Sequence, residues 1–195
     1  MFLTINERKV LRFLAASNRD YSINELAKKC NLAPNGAYKL LKKLENGGII
    51  IPKRTANVIS YTLNFDNFKT SIILEFAFIP DKLEGRVKYR AGDLQILKSV
   101  TSICIMFGSY ITSKKHPKDL DLLFILKKEQ FDDYKKKLNK IKDTTPIKIQ
   151  DIVQTREDLI QNIKKEDPII LASIKKGIVL WGFSELVKII ENVKN

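Results

Sequence analysis

The sequence has few of the residues that form disulfide frameworks or zinc sites. It contains two cysteines and a single histidine in 195 residues. Cys30 and Cys104 have no second cysteine or histidine at the spacing of zinc ligands. We therefore expect both to be reduced, buried thiols. His116, in the loop SKKHPKD, is better explained as a solvated loop residue than as a catalytic base.

Long apolar segments are also missing. No apolar run approaches the roughly 20 residues that a membrane-spanning helix needs. The N-terminal MFLTINERKV lacks the apolar core and cleavage site of a signal peptide. The overall composition, 44% hydrophobic and 29% charged, is that of a folded globular chain. These features predict a cytoplasmic protein with no membrane partner, long enough for two small domains.

Acidic residues are scarce relative to basic ones. Lys and Arg number 35 against 22 Asp and Glu, which gives a formal net charge of +13. Such a charge favours a polyanionic partner: a nucleic acid, an RNA-bearing complex or a nucleotide. A biased base composition or a high growth temperature of the source would also raise the lysine content without any function. Charge alone leaves both explanations open.

The first 45 residues predict three helices. Two capping-box pairs, Thr4 with Glu7 and Ser22 with Glu25, each stand before apolar residues at helical spacing. A third helix is predicted over residues 34–45, with proline at its start and two glycines after its end.

Two short β-branched runs within residues 49–63 then predict a hairpin. Three helices followed by a hairpin resemble the winged helix-turn-helix family of DNA-binding domains over residues 1–65. The most family-like stretch is SINELAKKCNLAPNGAYKLLKKLENGGII. The resemblance implies that the third helix enters the major groove of DNA.

The candidate nucleic-acid contacts are the polar and basic residues on the outward face of the third helix and in the hairpin. Residues 1–65 carry 11 Lys or Arg against 4 Asp or Glu, a net charge of +7. Cations suit phosphates and short polar groups suit base edges. A protein-docking module with a solvated lysine face is the alternative. The candidates are Asn35, Tyr38, Lys39, Lys42, Lys43, Lys53 and Arg54.

Residues 66–93 are interpreted as a connecting helix and linker. Asp66-Asn67 can cap an apolar helix that extends to about Phe78. The following LEGRVKYRAGDL is too charged and glycine-marked to predict an element. A homodimer through the first helix or this apolar helix is left open by the sequence, without a residue-level argument.

The C-terminal half contains two buried strand patterns, and each has residues typical of a binding site at one end. The first runs into Gly108-Ser109, and the second opens with Asp119 and Asp121. Alternate residues of a strand project from the same face. Two such carboxylates repel each other unless a cation lies between them, and Mg²⁺ suits paired aspartates beside a triphosphate. A third strand pattern, over 146–153, makes Asp151 the candidate for a third carboxylate.

These segments resemble the DNA polymerase beta-like nucleotidyltransferase superfamily, specifically its minimal members, over roughly residues 94–185. The matching motifs are FGSY, KDLDLLFIL and IKIQDIV, in that order. The resemblance implies that Gly108 and Ser109 hold the triphosphate of a nucleoside triphosphate, with ATP preferred. It also implies Asp119, Asp121 and Asp151 as catalytic residues that bind Mg²⁺ or Mn²⁺.

The loop after Tyr110 departs from the family pattern. Many small members have Ala-Arg-Gly there and Ser before the first Asp, whereas this chain has Ile111-Thr112-Ser113 and Lys118. Lys114, Lys115 or His116 could supply positive charge instead. Taken alone, Gly108-Ser109 would be explained as a simple turn, and Asp119-Leu120-Asp121 as the exposed start of a strand. Their joint occurrence favours the nucleotidyltransferase interpretation.

We therefore expect an α+β protein in which a winged helix (1–65) is joined by a linker (66–93) to a small mixed-sheet nucleotidyltransferase domain (94–195). The expected enzyme moves a nucleotide to a protein, RNA or small-molecule acceptor, and a partner toxin is one such protein. The winged helix would bind DNA or RNA. The alternative is a DNA-binding regulator, antitoxin-like or not, whose second domain only senses nucleotides or mediates assembly.

Overall fold

The computed structural model describes residues 3–112 and 117–194 as an α+β fold with two sheets. The helices within these residues are α1 (Ile5–Ala15), α2 (Ile23–Cys30), α3 (Pro34–Asn46), α4 (Lys69–Phe78), α5 (Gly85–Asp93), α6 (Ser109–Thr112), α7 (Phe131–Thr144), α8 (Arg156–Lys164), α9 (Pro168–Lys176) and α10 (Phe183–Lys194). The strands are β1 (Tyr21–Ser22), β2 (Ile50–Thr55), β3 (Val58–Leu63), β4 (Ile103–Phe107), β5 (Asp119–Ile125), β6 (Lys148–Gln154) and β7 (Ile178–Trp181).

The N-terminal segment has the winged helix-turn-helix arrangement that the sequence predicts. Both capping boxes form, with Thr4 and Glu7 at the start of α1 and Ser22 and Glu25 at the start of α2. Strands β2 and β3 form the predicted hairpin. The two-residue β1 adds a third strand beside β3, which the sequence did not predict because two residues carry no periodicity.

The middle segment contains one predicted helix and one that the sequence left out. Helix α4 confirms the apolar connecting helix. Helix α5 forms in the charged stretch that predicted no element, and Ala91 is its one fully buried residue. The helix is stabilised by contacts with other elements, such as that of Arg86 with Tyr110, and a periodicity pattern within the helix cannot show these contacts. A 3₁₀ turn at Leu94–Ser99 follows it.

The second sheet is mixed, as expected, with strand order β6-β5-β4-β7. Strand β5 is antiparallel to β4 and parallel to β6. One face of the sheet belongs to a core shared with α8, α9 and α10. The other face packs on a smaller core that includes residues of α7 and of the turn after α5.

The larger core runs without interruption from the winged helix to the second sheet. It contains Leu11 of α1 and Leu123 of β5 among its members. Arg12 of α1 links the two parts, because its guanidinium donates to the carbonyl oxygens of Ile174, at 2.8 and 3.1 Å, and of Gly177 at the end of α9. Burial, with the charge of Arg8, lowers the pKa of Arg12 to about 10. The winged helix is therefore held to the second sheet by buried polar as well as apolar contacts.

The two cysteines are buried free thiols, as predicted. Burial raises the pKa of Cys30, and it raises the pKa of Cys104 well above the usual value. Neither thiol therefore has the character of a reactive thiolate.

None of the helices described over 3–112 and 117–194 combines the length and the apolar character that spanning a bilayer requires.

Candidate functional site

Asp119 and Asp121 project from one face of β5, at the end where the strand begins. Both side chains are half-buried, whereas the intervening Leu120 points into the smaller core on the opposite face. Strand alternation therefore brings the two carboxylates together, as the sequence predicted. We use the name paired-aspartate site for Asp119, Asp121, Gly108 and Ser109.

The turn after β4 lies directly against Asp121. Phe107, the last residue of β4, pairs in register with Asp121, so Gly108 follows at the same level of the sheet. Gly108 has a φ of +72°, a conformation that side chains disfavour. A Cβ atom at this position would lie 2.9 Å from the Asp121 Cγ and would overlap the Oδ2 atom. Only glycine allows this turn to approach the carboxylate so closely.

The electrostatics of the site favour a cation. Burial, and then the charge of Asp119, raise the pKa of Asp121. Across the part of the chain that the structure describes, neither carboxylate accepts a hydrogen bond or forms an ion pair. Lys148 lies beside Asp119 in the β5–β6 register but makes no ion pair with it. Two adjacent half-buried carboxylates without a partner are an unfavourable arrangement that a bound cation would relieve.

Asp151 does not join this site, which corrects the prediction of a third carboxylate there. The parallel register places Asp151 beside Leu122, so its side chain leaves the sheet on the face opposite to Asp121. Its Oδ2 accepts a hydrogen bond from the Tyr134 hydroxyl at 3.0 Å, and its Oδ1 accepts one from Lys142 Nζ at 3.0 Å. Asp151 thus stabilises the contact between β6 and α7.

The residue of β6 beside Asp121 is Gln150, an exposed neutral side chain. Among residues 3–112 and 117–194, no three His, Cys, Asp or Glu residues come together as a metal site. A metal at the paired-aspartate site would therefore have two protein carboxylates. Mg²⁺ is commonly held by one or two carboxylates together with water and substrate phosphates, so the residues fit this ion.

Helix α5 supports the turn from behind, a role that the sequence analysis missed. Arg86 Nε donates to the carbonyl oxygen of Tyr110 at 2.8 Å, and its guanidinium lies 5.2 Å from the centre of the Tyr110 ring. The Tyr110 hydroxyl donates to the carbonyl oxygen of Arg86 at 3.4 Å. These contacts fix α6, and with it Ser109. The signal in the sequence was the basic pair Arg86 and Arg90, one helical turn apart.

Ser109 is exposed at the start of the four-residue α6, next to Gly108. The hydroxyl and backbone amide of Ser109 are therefore open to a ligand approaching the turn. Lys114, Lys115 and His116, considered as sources of positive charge, lie outside the described residues.

A second candidate site is the outward surface of the winged helix. Asn35, Tyr38 and Lys39 are exposed on α3, and Tyr38 is 50% exposed. Arg54 is exposed on the hairpin and makes no ion pair within the described part of the chain. We use the name α3 surface for Asn35, Tyr38, Lys39 and Arg54.

The other three predicted contacts, Lys42, Lys43 and Lys53, are already paired. Lys42 Nζ lies 2.9 Å from Glu45, and Lys53 Nζ lies 3.5 Å from Asp20.

Lys43 Nζ lies 2.6 Å from Glu7, which is 2% exposed. Burial alone would raise the pKa of Glu7, but hydrogen bonds from Lys43 and Thr4 outweigh burial and lower it. Lys43 therefore already stabilises the fold through its ion pair with Glu7. A DNA phosphate would have to compete with Glu7 for the Lys43 ammonium group.

Comparison with protein families supports the N-terminal assignment. A family model described as winged helix-turn-helix DNA-binding matches residues 3–51. Residues 3–51 thus carry a winged helix-turn-helix of the DNA-binding type. No curated protein matches the chain. No solved structure matches it either.

Removing a carboxylate from one face of the second sheet should have the opposite effect on the Tm to removing one from the other face. Asp121→Asn should raise the Tm at pH 7 by about 1–3 °C, because a charge held at an unfavourable position is removed. The raised pKa of Asp121 means that this gain is present at neutral pH and disappears as the pH falls through that pKa. Asp151→Asn should instead lower the Tm by about 2–6 °C, because Lys142 and Tyr134 lose a charged acceptor.

Thermal unfolding at pH 7 and pH 3.5 measures both effects. A fall in Tm for Asp121→Asn at pH 7 would show that this carboxylate has a partner that stabilises it.

Proposed function

We propose that the chain is a metal-dependent nucleotidyltransferase that moves a nucleoside monophosphate from a nucleoside triphosphate to an acceptor. The observation that supports this most strongly is the carboxylate pair of Asp119 and Asp121, which has no partner among the described residues and lies against a turn that only glycine can form. A turn of this kind places the backbone of Gly108 and Ser109 beside the carboxylates, and backbone at a glycine can approach a ligand closely. A folded protein gains no stability from such a pair, so a role in binding is the better explanation.

Each residue of the paired-aspartate site has a defined task in this proposal. Asp119 and Asp121 would hold Mg²⁺ or Mn²⁺. The backbone at Gly108 and the amide and hydroxyl of Ser109 would bind the triphosphate. Arg86 would position Ser109 through its contact with Tyr110. The metal, when bound, neutralises the negative charge that develops on the phosphate oxygens.

The reaction would be an in-line displacement at the α-phosphorus. An acceptor hydroxyl oxygen forms the new bond, pyrophosphate leaves, and the hydroxyl proton passes to solvent. Asp151 cannot take this proton in the described geometry, because it lies on the opposite face of the sheet. The acceptor is a protein, an RNA end or a small molecule, and ATP is the preferred donor by family resemblance.

The winged helix would bind DNA or RNA through the α3 surface. This surface combines a cation, Lys39, with polar and aromatic groups on the helix that enters the groove in this family, and it adds a second cation, Arg54, from the hairpin. Arg12 of α1 donates to carbonyl oxygens at the end of α9, so the winged helix packs directly on the part of the chain that carries the second sheet. DNA binding and nucleotide transfer in one protein would suit an antitoxin that represses its own promoter and modifies a partner toxin.

A second candidate function is a DNA-binding regulator whose second sheet only senses nucleotides. The observation that favours it is Gln150, a neutral residue where a third carboxylate would complete the site. A protein with two carboxylates can still bind a metal nucleotide without transferring it.

Nucleotide transfer is tested with ATP, CTP, GTP and UTP labelled at the α-phosphate, Mg²⁺ or Mn²⁺, and a cell extract as the source of acceptors. Wild type should label an acceptor with one preferred nucleotide. The double variant Asp119→Asn, Asp121→Asn should lose at least about 100-fold of this activity, because both metal ligands are removed.

The matched control is Asp132→Asn, Asp133→Asn, which removes the same charge from an acidic pair on α7 and should keep full activity. Absence of transfer by wild type, together with metal-dependent binding of a nucleotide, would favour the sensor. Absence of both would exclude any nucleotide role for the site.

DNA binding is tested with a mixed-sequence duplex by fluorescence anisotropy at several salt concentrations. Lys39→Ala and Arg54→Ala should each weaken binding and each reduce the slope of log K against log salt by about 1, the effect of losing one phosphate contact. Lys140→Ala, an exposed lysine on α7, should change neither quantity. Equal effects of all three variants would show that binding follows net charge and not the α3 surface.

A further inference from the structure

A cleft of about 340 Å³ lies between α1, the end of α4 and the end of α9, and its lining shares no residue with the two sites described above. One face of α1 forms the first wall, with Ile5, Arg8, Lys9 and Arg12 at helical spacing. The segment that ends α4 forms the second wall, and the end of α9 with the start of β7 forms the third. We use the name interface cleft for the space between these walls.

The lining of the interface cleft has a large excess of positive charge. Five basic residues line it against a single acidic one, Asp81, within the described part of the chain, which leaves an excess of four positive charges. Like charges around one cleft repel each other, and an anion inside it would relieve that repulsion. The basic residues are Arg8, Lys9, Arg12, Lys175 and Lys176.

The two arginines use only part of their hydrogen-bonding capacity to hold the fold. Arg8 donates to the carbonyl oxygens of Phe76 and Ile79 at the end of α4, and it forms an ion pair with Asp81 at 2.7 Å. The buried Nε of Arg8 has no acceptor among the described residues. Arg12 holds the end of α9 through its Nε and Nη2, whereas its Nη1 makes no hydrogen bond within residues 3–112 and 117–194. Donors therefore remain unused on both guanidinium groups.

The lysines of the interface cleft add charge that the described residues do not neutralise. Lys9 on α1 and Lys176 at the end of α9 are exposed, and neither forms an ion pair over 3–112 and 117–194. Lys175 is half-buried, with its Nζ 4.8 Å from the centre of the Phe13 ring. Burial and the charges of nearby lysines lower the pKa of Lys175, although Glu166 acts in the opposite direction. Positive charge is thus unfavourable here without a bound anion.

The size and the apolar part of the interface cleft indicate a small organic ligand. Its volume lies at the lower end of the roughly 300–1,000 Å³ that small-molecule pockets occupy. Ile5, Pro80 and Ile178 add apolar surface to the lining, and none of the three is fully buried. An inorganic ion would leave this surface in contact with water, whereas an organic group attached to the anion would cover it.

We propose that the interface cleft binds a phosphate monoester with a small organic group. The phosphate would lie against the guanidinium of Arg12 and the ammonium groups of Lys9 and Lys176. The organic group would lie against Ile5 and Ile178. A phosphate monoester carries close to two negative charges near neutral pH. Two charges match the excess of four positive charges better than the single charge of a carboxylate or a sulfate ester does.

The interface cleft is separate from the α3 surface and from the paired-aspartate site. Glu7, next to Arg8 on α1, pairs with Lys43 of α3, so α3 packs on a different face of α1 from the one that lines the cleft. The proposal therefore depends on neither DNA binding nor nucleotide transfer. Because the lining comes from both α1 and α9, a bound ligand would stabilise the contact between the winged helix and the second sheet.

Isothermal titration calorimetry of the full chain with phenyl phosphate, at about pH 8 in EDTA, tests the proposal. EDTA removes the metal that the paired-aspartate site would need, so a failure here is distinct from a failure of nucleotide transfer. Wild type should bind phenyl phosphate with a Kd of about 0.1–1 mM. Phenyl sulfate has a similar shape but one charge fewer, and inorganic phosphate lacks the organic group. Each should bind at least about 5-fold more weakly.

A double variant removes the two exposed lysines of the cleft. Lys9→Ala, Lys176→Ala should weaken the binding of phenyl phosphate at least about 10-fold, because two cations that face the phosphate are lost. The matched control, Lys140→Ala, Lys188→Ala, removes the same charge from exposed positions on α7 and α10. It should leave the Kd within about 2-fold of wild type. Circular dichroism would confirm that all variants are folded.

Asp81→Asn should act in the opposite direction. The Asp81 side chain is 78% exposed, so its replacement should leave the fold intact. The change removes the negative charge that competes with the ligand for Arg8, and binding of phenyl phosphate should tighten about 3-fold. If Arg8 and Arg12 only held the ends of the helices, the change would produce no gain.

A wild type that does not bind phenyl phosphate at concentrations up to about 10 mM would overturn the proposal. Equal losses in the two double lysine variants, or no tightening in Asp81→Asn, would also overturn it, because binding would then not occur in the interface cleft. Phenyl sulfate or inorganic phosphate that bound as tightly as phenyl phosphate would overturn the assignment to a phosphate monoester.

Discussion

The side-chain alternation of β5, fixed by its register with two neighbouring strands, determines what the second sheet can do. Odd-numbered residues face the larger core and even-numbered residues face the smaller one. Asp119 and Asp121 end the larger-core face at an accessible edge. The antiparallel register with β4 brings Gly108 to the same edge. The parallel register with β6 brings Gln150 there and sends Asp151 to the other side.

The β5–β6 register places Asp121 and Asp151 on opposite faces of the sheet, and the two carboxylates have opposite effects on stability. Asp121 is half-buried beside a like charge and lacks a partner among the described residues, so its charge is unfavourable in the folded protein. Asp151 accepts hydrogen bonds from Tyr134 and Lys142, so its charge contributes to the contact of α7 with the sheet. Burial, together with the nearby charge of Asp151, raises the pKa of Tyr134. The first arrangement resembles a binding site and the second a structural contact.

Local signals were sufficient to predict much of the fold from the sequence. Capping boxes at Thr4 and Ser22, glycines after α3 and apolar strand runs all act within a few residues. Asp119 and Asp121 were predicted to share a face for the same reason, since they lie on one strand. Domain limits at 65 and 93 remain predictions.

The features that were missed depend on contacts between elements distant in sequence. A register shift of one residue between two strands reverses the face of every side chain, so the sequence of β6 alone could not place Asp151. Helix α5 is stabilised by contacts such as that of Arg86 with Tyr110, and its own pattern is weak. Lys43 looked like a DNA contact because Glu7, its partner, is 36 residues away in the chain.

The chain joins a winged helix-turn-helix and a paired-aspartate site through one continuous core. Arg12 connects α1 to the end of α9, and the residue after α9, Gly177, lies against Ile105 and Met106 of β4. Strand β4 in turn leads into Gly108. A short chain of packed elements thus connects the winged helix to the turn beside Asp121.

Manganese binding, followed by electron paramagnetic resonance with a non-hydrolysable ATP analogue, distinguishes the two faces of β5 directly. We expect wild type and Asp151→Asn to bind Mn²⁺ with similar affinity in the presence of the analogue, and Asp121→Asn to lose this binding. If Asp151→Asn abolished Mn²⁺ binding while the protein remained folded, or if Asp121→Asn left it intact, the metal site could not be the one formed by Asp119 and Asp121.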